Sequence, residues 1–211
     1  MTGVQTCALP IWNPVGIVTK YYLVTRDIDI LKTLSEYEAA LVVVSVTTLD
    51  PQLARAMEPR TSQPSYRLKA IELLSENAIP TMVLVAPVIP GLTDHEIPRI
   101  VQSAVDAGAK KAGYIMLRLP HGLGGLFQNW LEKHYPLRKN KILNRILSVR
   151  GGKLNSSEFF DRMKGGGVYA DQVRRVFEIA CRKSGIEGNK LELSVQHFRR
   201  AETSEQLALF E

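Results

Sequence analysis

Short apolar runs alternate along the first 120 residues with segments of helical spacing. Residues 81–87 (Thr-Met-Val-Leu-Val-Ala-Pro) read as a strand buried on both faces, as parallel sheets require. Residues 41–46 are a near-continuous β-branched run, the mark of a central strand, and 14–19 and 112–119 are further strand candidates. Between them, 27–37 places Ile28, Leu31 and Leu34 at helical spacing, and 51–57 reads as a short helix. The segment 64–77 puts Leu68, Ile71, Leu74 and Ala78 on one face. A helix over 94–107 is stopped by Gly108. Pro87, Pro90 and Gly91 break regular structure before it, and Thr93 and Glu96 have the spacing of a capping box. Four strands separated by helices predict an α/β fold on a parallel sheet. An open doubly wound sheet and part of a barrel both satisfy that pattern. Polar machinery in such folds gathers where strands end and helices begin, so the loop after 81–87 is a place to expect chemistry.

Past Pro120 the rhythm changes. Helical spacing holds over 126–135, 137–149 and 169–184, and a further strand is predicted at 191–195. A short helix carrying Phe159 and Phe160 is flanked by Gly151-Gly152 and Gly165-Gly166-Gly167, which follow no strand and match no nucleotide-binding fingerprint. Arg138, Arg145, Arg150, Lys153, Arg162 and Lys164 make this region basic.

With 211 residues and 45% hydrophobic content, the chain holds enough apolar surface for one sizeable core. No run approaches the ~18 apolar residues of a membrane span and no signal peptide is visible, so a cytoplasmic protein is expected. The net charge of +6 permits an anionic partner without requiring one. Cys7 and Cys181 alone make neither a disulfide framework nor a multi-thiolate metal site, and Cys181 falls on the apolar face of its helix as a small core residue. Residues 1–12 resemble the translation of a sequencing adapter and are set aside as foreign. The expected organisation is a barrel-like portion over 13–122, a helical extension over 123–190, and a short strand and flexible tail over 191–211.

Three strand ends taken together carry a resemblance. Ile17-Val18-Thr19-Lys20, then Ser45-Val46-Thr47-Thr48-Leu49-Asp50 with Glu58-Pro59-Arg60-Thr61-Ser62, then Val85 to Leu92, resemble the radical SAM superfamily. The likeness is greatest to the DNA repair photolyase-like branch related to spore photoproduct lyase, which Arg118-Leu119-Pro120, Leu143-Asn144-Arg145 and Gly151-Gly152 also resemble. It spans residues 13–185. It implies a six-stranded partial (β/α) TIM barrel, of which this chain supplies the last four strands, followed by a helical C-terminal extension. It also implies a 4Fe–4S cluster on a CxxxCxxC motif and S-adenosylmethionine (SAM), cleaved to a 5′-deoxyadenosyl radical. No such motif occurs here, so the chain is expected to be N-terminally truncated and inactive alone, with no catalytic residue and no metal ligand assigned.

The resemblance assigns the SAM side of a site. Lys20 would meet the methionyl carboxylate, Ser45 the ribose or amino-acid part, and Arg60 a carboxylate in two-point geometry. Backbone groups from Pro87 to Ile89 would lie along the adenine, and Arg118 would border the substrate. Structural ion pairs to Glu58 or Asp94 compete for both arginines, and His95 and His121 read as loop or cap residues. At the tail, Gln206, Leu207, Leu209 and Phe210 resemble the peptide by which bacterial DNA-maintenance proteins bind the sliding clamp. Two readings stand: part of a radical SAM enzyme acting on nucleic acid, or a non-catalytic module binding DNA or the clamp. The strand at 15–19 has no predicted outer neighbour, and that edge is expected to weaken the isolated fragment and promote aggregation.

Overall fold

The β-branched runs form four parallel strands: β1 (Val15–Thr19), β2 (Ala40–Ser45), β3 (Thr81–Val88) and β4 (Lys111–Met116), in the spatial order β1-β2-β3-β4. The computed structural model describes residues 11–155, 161–188 and 191–199. The clamp-like tail, Cys7, Phe159 and Phe160 lie outside the described residues. Thr19 is level with Val44, and Ser45 with Leu84. Strand order follows chain order without reversal, so right-handed crossovers carry every connecting helix to the same face. The sheet is therefore singly wound, which removes the doubly wound alternative.

Alternation along the strands agrees. Val42, Val44, Val83, Val85, Tyr114 and Met116 share one parity and are buried in the main core. Opposite them pack Leu31 and Leu34 of α1 (Ile28–Ser35), Ile71 and Leu74 of α3 (Pro64–Glu76), and Ile100 and Ala104 of α4 (Ile97–Asp106). Val173 and Ala180 of α8 (Gly167–Lys183) close the same layer. The other parity faces away from the connecting helices, with Val43 and Ser45 buried on β2. Gly16 is exposed, Val18 is 65% exposed, and Leu84 and Ile115 are half-buried.

A second apolar cluster sits beyond the C-terminal strand ends. It joins Leu53 of α2 (Pro51–Met57), Ile89 and Leu92 after β3, and Leu117 and Leu119 after β4. Leu131 of α5 (Leu123–His134) and Ile142 and Ile146 of α6 (Lys139–Val149) cover it, and the Trp130 indole donates to the Ala56 carbonyl at 3.1 Å. A single turn, α7 (Asp161–Lys164), precedes α8. No helix among the described residues is long and apolar enough to cross a membrane.

Three local expectations change. Residues 191–195 form no strand: Ser194 donates one backbone bond to Glu38 at 2.9 Å, and one bond does not make a ladder. The buried face of α3 is Arg67, Ala70, Ile71 and Leu74, while Ala78 lies past the helix end at φ 59. The helix expected from Asp94 opens as a 3₁₀ turn (Asp94–Glu96), with no side-chain cap from Thr93. Trp12 lies against Tyr37 with ring centroids 4.1 Å apart.

Gly108 ends α4 at φ +100, with its amide on the Val105 carbonyl at 2.8 Å and the Ala109 amide on Ala104 at 2.9 Å. A Cβ there would lie 2.2 Å from Ser75 Oγ. Gly108→Ala is expected to cost about 2 kcal/mol from left-handed strain and that clash. A drop in the urea midpoint at unchanged slope checks it.

Candidate functional site

Lys20 follows β1 directly, and Thr19 pairs with Val44, so Lys20 stands level with Ser45 at the next strand's end. Continuing the alternation, both belong to the face that carries Val18 and Val43, the one opposite the connecting helices. Thr47, two residues on, keeps that parity. The Lys20 ammonium donates to Thr47 Oγ1 at 3.2 Å and forms an ion pair with Glu58 Oε1. The Thr47 hydroxyl lies 2.8 Å from the Ala86 carbonyl and 2.9 Å from Glu58 Oε1, which share its one proton.

Glu58 is delivered by α2. Asp50 caps that helix by accepting from the amides of Gln52 at 2.7 Å and Leu53 at 3.3 Å, and Pro51 opens it. Its second oxygen accepts from Arg67 Nη2 at 2.7 Å. Arg67 is 1% exposed and serves four acceptors: Glu58, the Ser62 carbonyl at 2.7 Å, the Ser45 carbonyl at 3.0 Å and Thr61 Oγ1 at 2.5 Å. The guanidinium thus ties the first turn of α3 to the end of β2 and to the segment after α2. Burial alone pushes the Glu58 carboxyl upward, but the hydrogen bonds and charges of Lys20 and Arg67 together outweigh it and hold its pKa below the ordinary value.

The remaining expected residues separate. Ser45 is buried, with its carbonyl on Arg67. Arg60 is exposed; its carbonyl accepts from the Tyr21 hydroxyl, and its guanidinium has no partner among the described residues. Arg118 lies 3.9 Å from Met163 Sδ, with a buried Nε that has no hydrogen-bond partner among the described residues. Neither arginine forms the ion pair weighed for it: Glu58 takes Lys20 and Arg67, and Asp94 accepts from Tyr169. Pro87 is half-buried where the β3–β4 register shifts between Val85 and Val88, a place that suits a residue with no N–H. Ile89 is fully buried, its amide donates to Thr93 Oγ1 at 2.9 Å, and its carbonyl accepts from Leu92 and Thr93. That amide has no proton left for an adenine, so any contact from this residue falls to its other backbone groups.

The capping box is corrected in the same loop. Glu96, buried, accepts from Thr48 Oγ1 at 2.6 Å and from the Leu49 amide at 2.7 Å. It ties the loop after β3 to the loop after β2 instead of turning back on Thr93. Sequence reasoning missed Thr47, Glu58, Arg67 and Glu96 as a working set. Arg67 had a signal: a charged residue in the stripe 67, 70, 71, 74.

A 4Fe–4S cluster does not fit these residues. No group of three or more metal-ligating His, Cys, Asp or Glu side chains occurs among the described residues. Cys181 is buried in the core, where burial and then Glu187 and Glu178 push its thiol up to about 11, away from the thiolate that iron needs.

Because the folded-state pKa of Glu58 is lowered, its stabilisation is full above the ordinary value of 4.5 and is lost as pH falls through the folded value. Thermal melts from pH 7 down to about 3 are expected to show this loss. Glu58→Gln is expected to flatten it and to cost about 3 kcal/mol at pH 7, since it leaves Arg67 buried without its counter-charge.

An uncharacterized protein of Mycobacterium tuberculosis is 30% identical over 138 residues, covering 64% of this chain and 41% of the relative. One from Methanocaldococcus jannaschii is 33% identical over 135 residues, 64% of this chain and 49% of the relative. One from Acidianus two-tailed virus is 37% identical over 84 residues, 39% of this chain and 27% of the relative. The chain spans less than half the length of each of these curated relatives. Residues 6–104, which contain β1 to β3, the Lys20–Glu58–Arg67 network and most of α4, match the family model described as the Radical SAM superfamily.

Proposed function

We propose that this chain is the SAM-binding portion of a radical SAM enzyme of the photolyase-like branch, its sheet forming part of a partial (β/α) TIM barrel. The observation that carries the reading lies inside the family match. Lys20 and Ser45 stand level on adjacent strand ends, on the sheet face opposite the connecting helices. Around them two cations, Lys20 and Arg67, share one carboxylate, Glu58, so the network keeps a net positive charge. An anionic ligand group complements that charge, and the methionyl carboxylate of SAM is such a group. Arg67 holds Glu58, Glu58 holds Lys20, and the ammonium is thereby aimed before any ligand arrives. Arg60, exposed and without a partner among the described residues, offers a second cation. SAM with a reduced cluster supplies radical chemistry in this superfamily. The thiolates for that cluster are not in this chain, so no radical step is assigned to its residues. Nucleic acid is the proposed substrate class, supported by the basic helices α6 and α8.

The test begins at the genomic locus. Reading upstream of the codon for Asn13 is expected to continue the frame through a strand and CxxxCxxC. A frame that opens without those cysteines would overturn the enzyme reading and leave a cluster-free binding module. In the protein read from that locus, Lys20→Met is expected to weaken SAM binding about tenfold or more, the loss of one charge-assisted hydrogen bond. Ser45→Ala is expected to weaken it by a smaller factor. Calorimetric titration with SAM reads both, and unchanged affinity in Lys20→Met would remove Lys20 from the site.

A further inference from the structure

We propose that the groove between the loop after β3 and helices α6 and α8 is a phosphate-binding site. Arg138, Lys141 and Arg145 follow one another at spacings of three and four and so lie along one face of α6, beginning at its N-cap. They line a cavity of about 430 Å³, with Gly91, His95 and Tyr169 across from them. That volume falls in the range of small-ligand pockets. Three cations meet one acid in the lining, Asp94, and it already accepts the Tyr169 hydroxyl. Like charges three and four residues apart on a helix repel weakly, and a bound anion would relieve that repulsion.

The two arginines are positioned rather than loose. Arg145 stacks over the Tyr169 ring, 4.6 Å from guanidinium carbon to centroid, and donates one N–H to its hydroxyl. Arg138 donates to the Gly91 carbonyl at 2.6 Å. Gly91 has φ +78, and a Cβ there would come within 2.8 Å of Arg145 Cδ, so glycine lets that side chain lie against the loop. Each guanidinium has five N–H donors, which leaves both able to grip further oxygens. Lys141 is exposed and has no hydrogen-bond or ion-pair partner among the described residues. Two forked donors and one point charge around a cavity match the oxygens of a phosphate group. A neighbouring cavity of about 430 Å³ shares His95 and Arg138 and adds Arg99, but Asp50 and Glu96 line it too, so the excess of positive charge belongs to the first pocket. The phosphate comes either from a phosphorylated small molecule or from a nucleic-acid backbone.

The experiment titrates the full chain with inorganic phosphate, and in parallel with a single-stranded oligonucleotide lacking terminal phosphates. Circular dichroism confirms folding of each variant. Saturable phosphate binding is expected, weakened about tenfold in Lys141→Gln and lost in Arg138→Gln/Lys141→Gln. Lys139→Gln, whose lysine pairs with Glu132 outside the cavity, is expected to bind as the parent does. No saturable phosphate binding, equal binding in the double variant, or an equal loss in Lys139→Gln would each overturn the site. Loss of oligonucleotide affinity in Lys141→Gln identifies the nucleic-acid backbone as the source. Loss of inorganic phosphate binding alone identifies a free phosphorylated ligand. SAM plays no part in these titrations, so their failure is separable from failure of the SAM reading.

Discussion

A guanidinium that is almost wholly removed from water must be surrounded by acceptors, and Arg67 imposes that condition on this fold. Its charge cannot be shed, so the chain has to bring oxygens to it. They come from the end of β2, from the segment after α2 and from Glu58 itself. The connection between β2 and α3 is thereby held in one arrangement. Lys20 depends on it in turn, because the carboxylate that positions its ammonium is fixed from behind by Arg67.

A second tie works alongside the first. Glu96 reaches from the loop after β3 to Thr48 and Leu49 in the loop after β2. Together the two carboxylates lock neighbouring loops at the C-terminal end of the sheet, where parallel α/β folds carry their chemistry. Each carboxylate is engaged by donors from other elements. Their work is to hold backbone and a cation in place.

The one-sided cover of the sheet gives that end its opening. With every crossover on one face, the opposite parity of each strand faces away from the connecting helices, and Val18 stands largely exposed. On that face Val18 at the β1 edge is open to solvent, while Val43 and Ser45 on β2 are buried, and the helical layer behind the sheet is closed by α8. The cationic face of α6 lines a cavity that includes none of Lys20, Ser45, Glu58 or Arg67. Positive charge is therefore gathered in two distinct places.

The sequence by itself determined the four strands and the main helices, because apolar periodicity reports which faces are buried whatever the partners are. It also placed Lys20 and Ser45 at strand ends, since each follows a recognisable β-branched run. It did not determine their electrostatic partners. Glu58 lies 38 residues from Lys20, and Glu96 lies 48 from Thr48, distances over which spacing carries no information. Local rules even misled: Thr93 and Glu96 have capping-box spacing, yet two tertiary donors outcompeted the local amide for the Glu96 carboxylate. Only the tertiary structure decided between one-sided and two-sided winding, because helix and strand periods are identical in both and strand order alone distinguishes them.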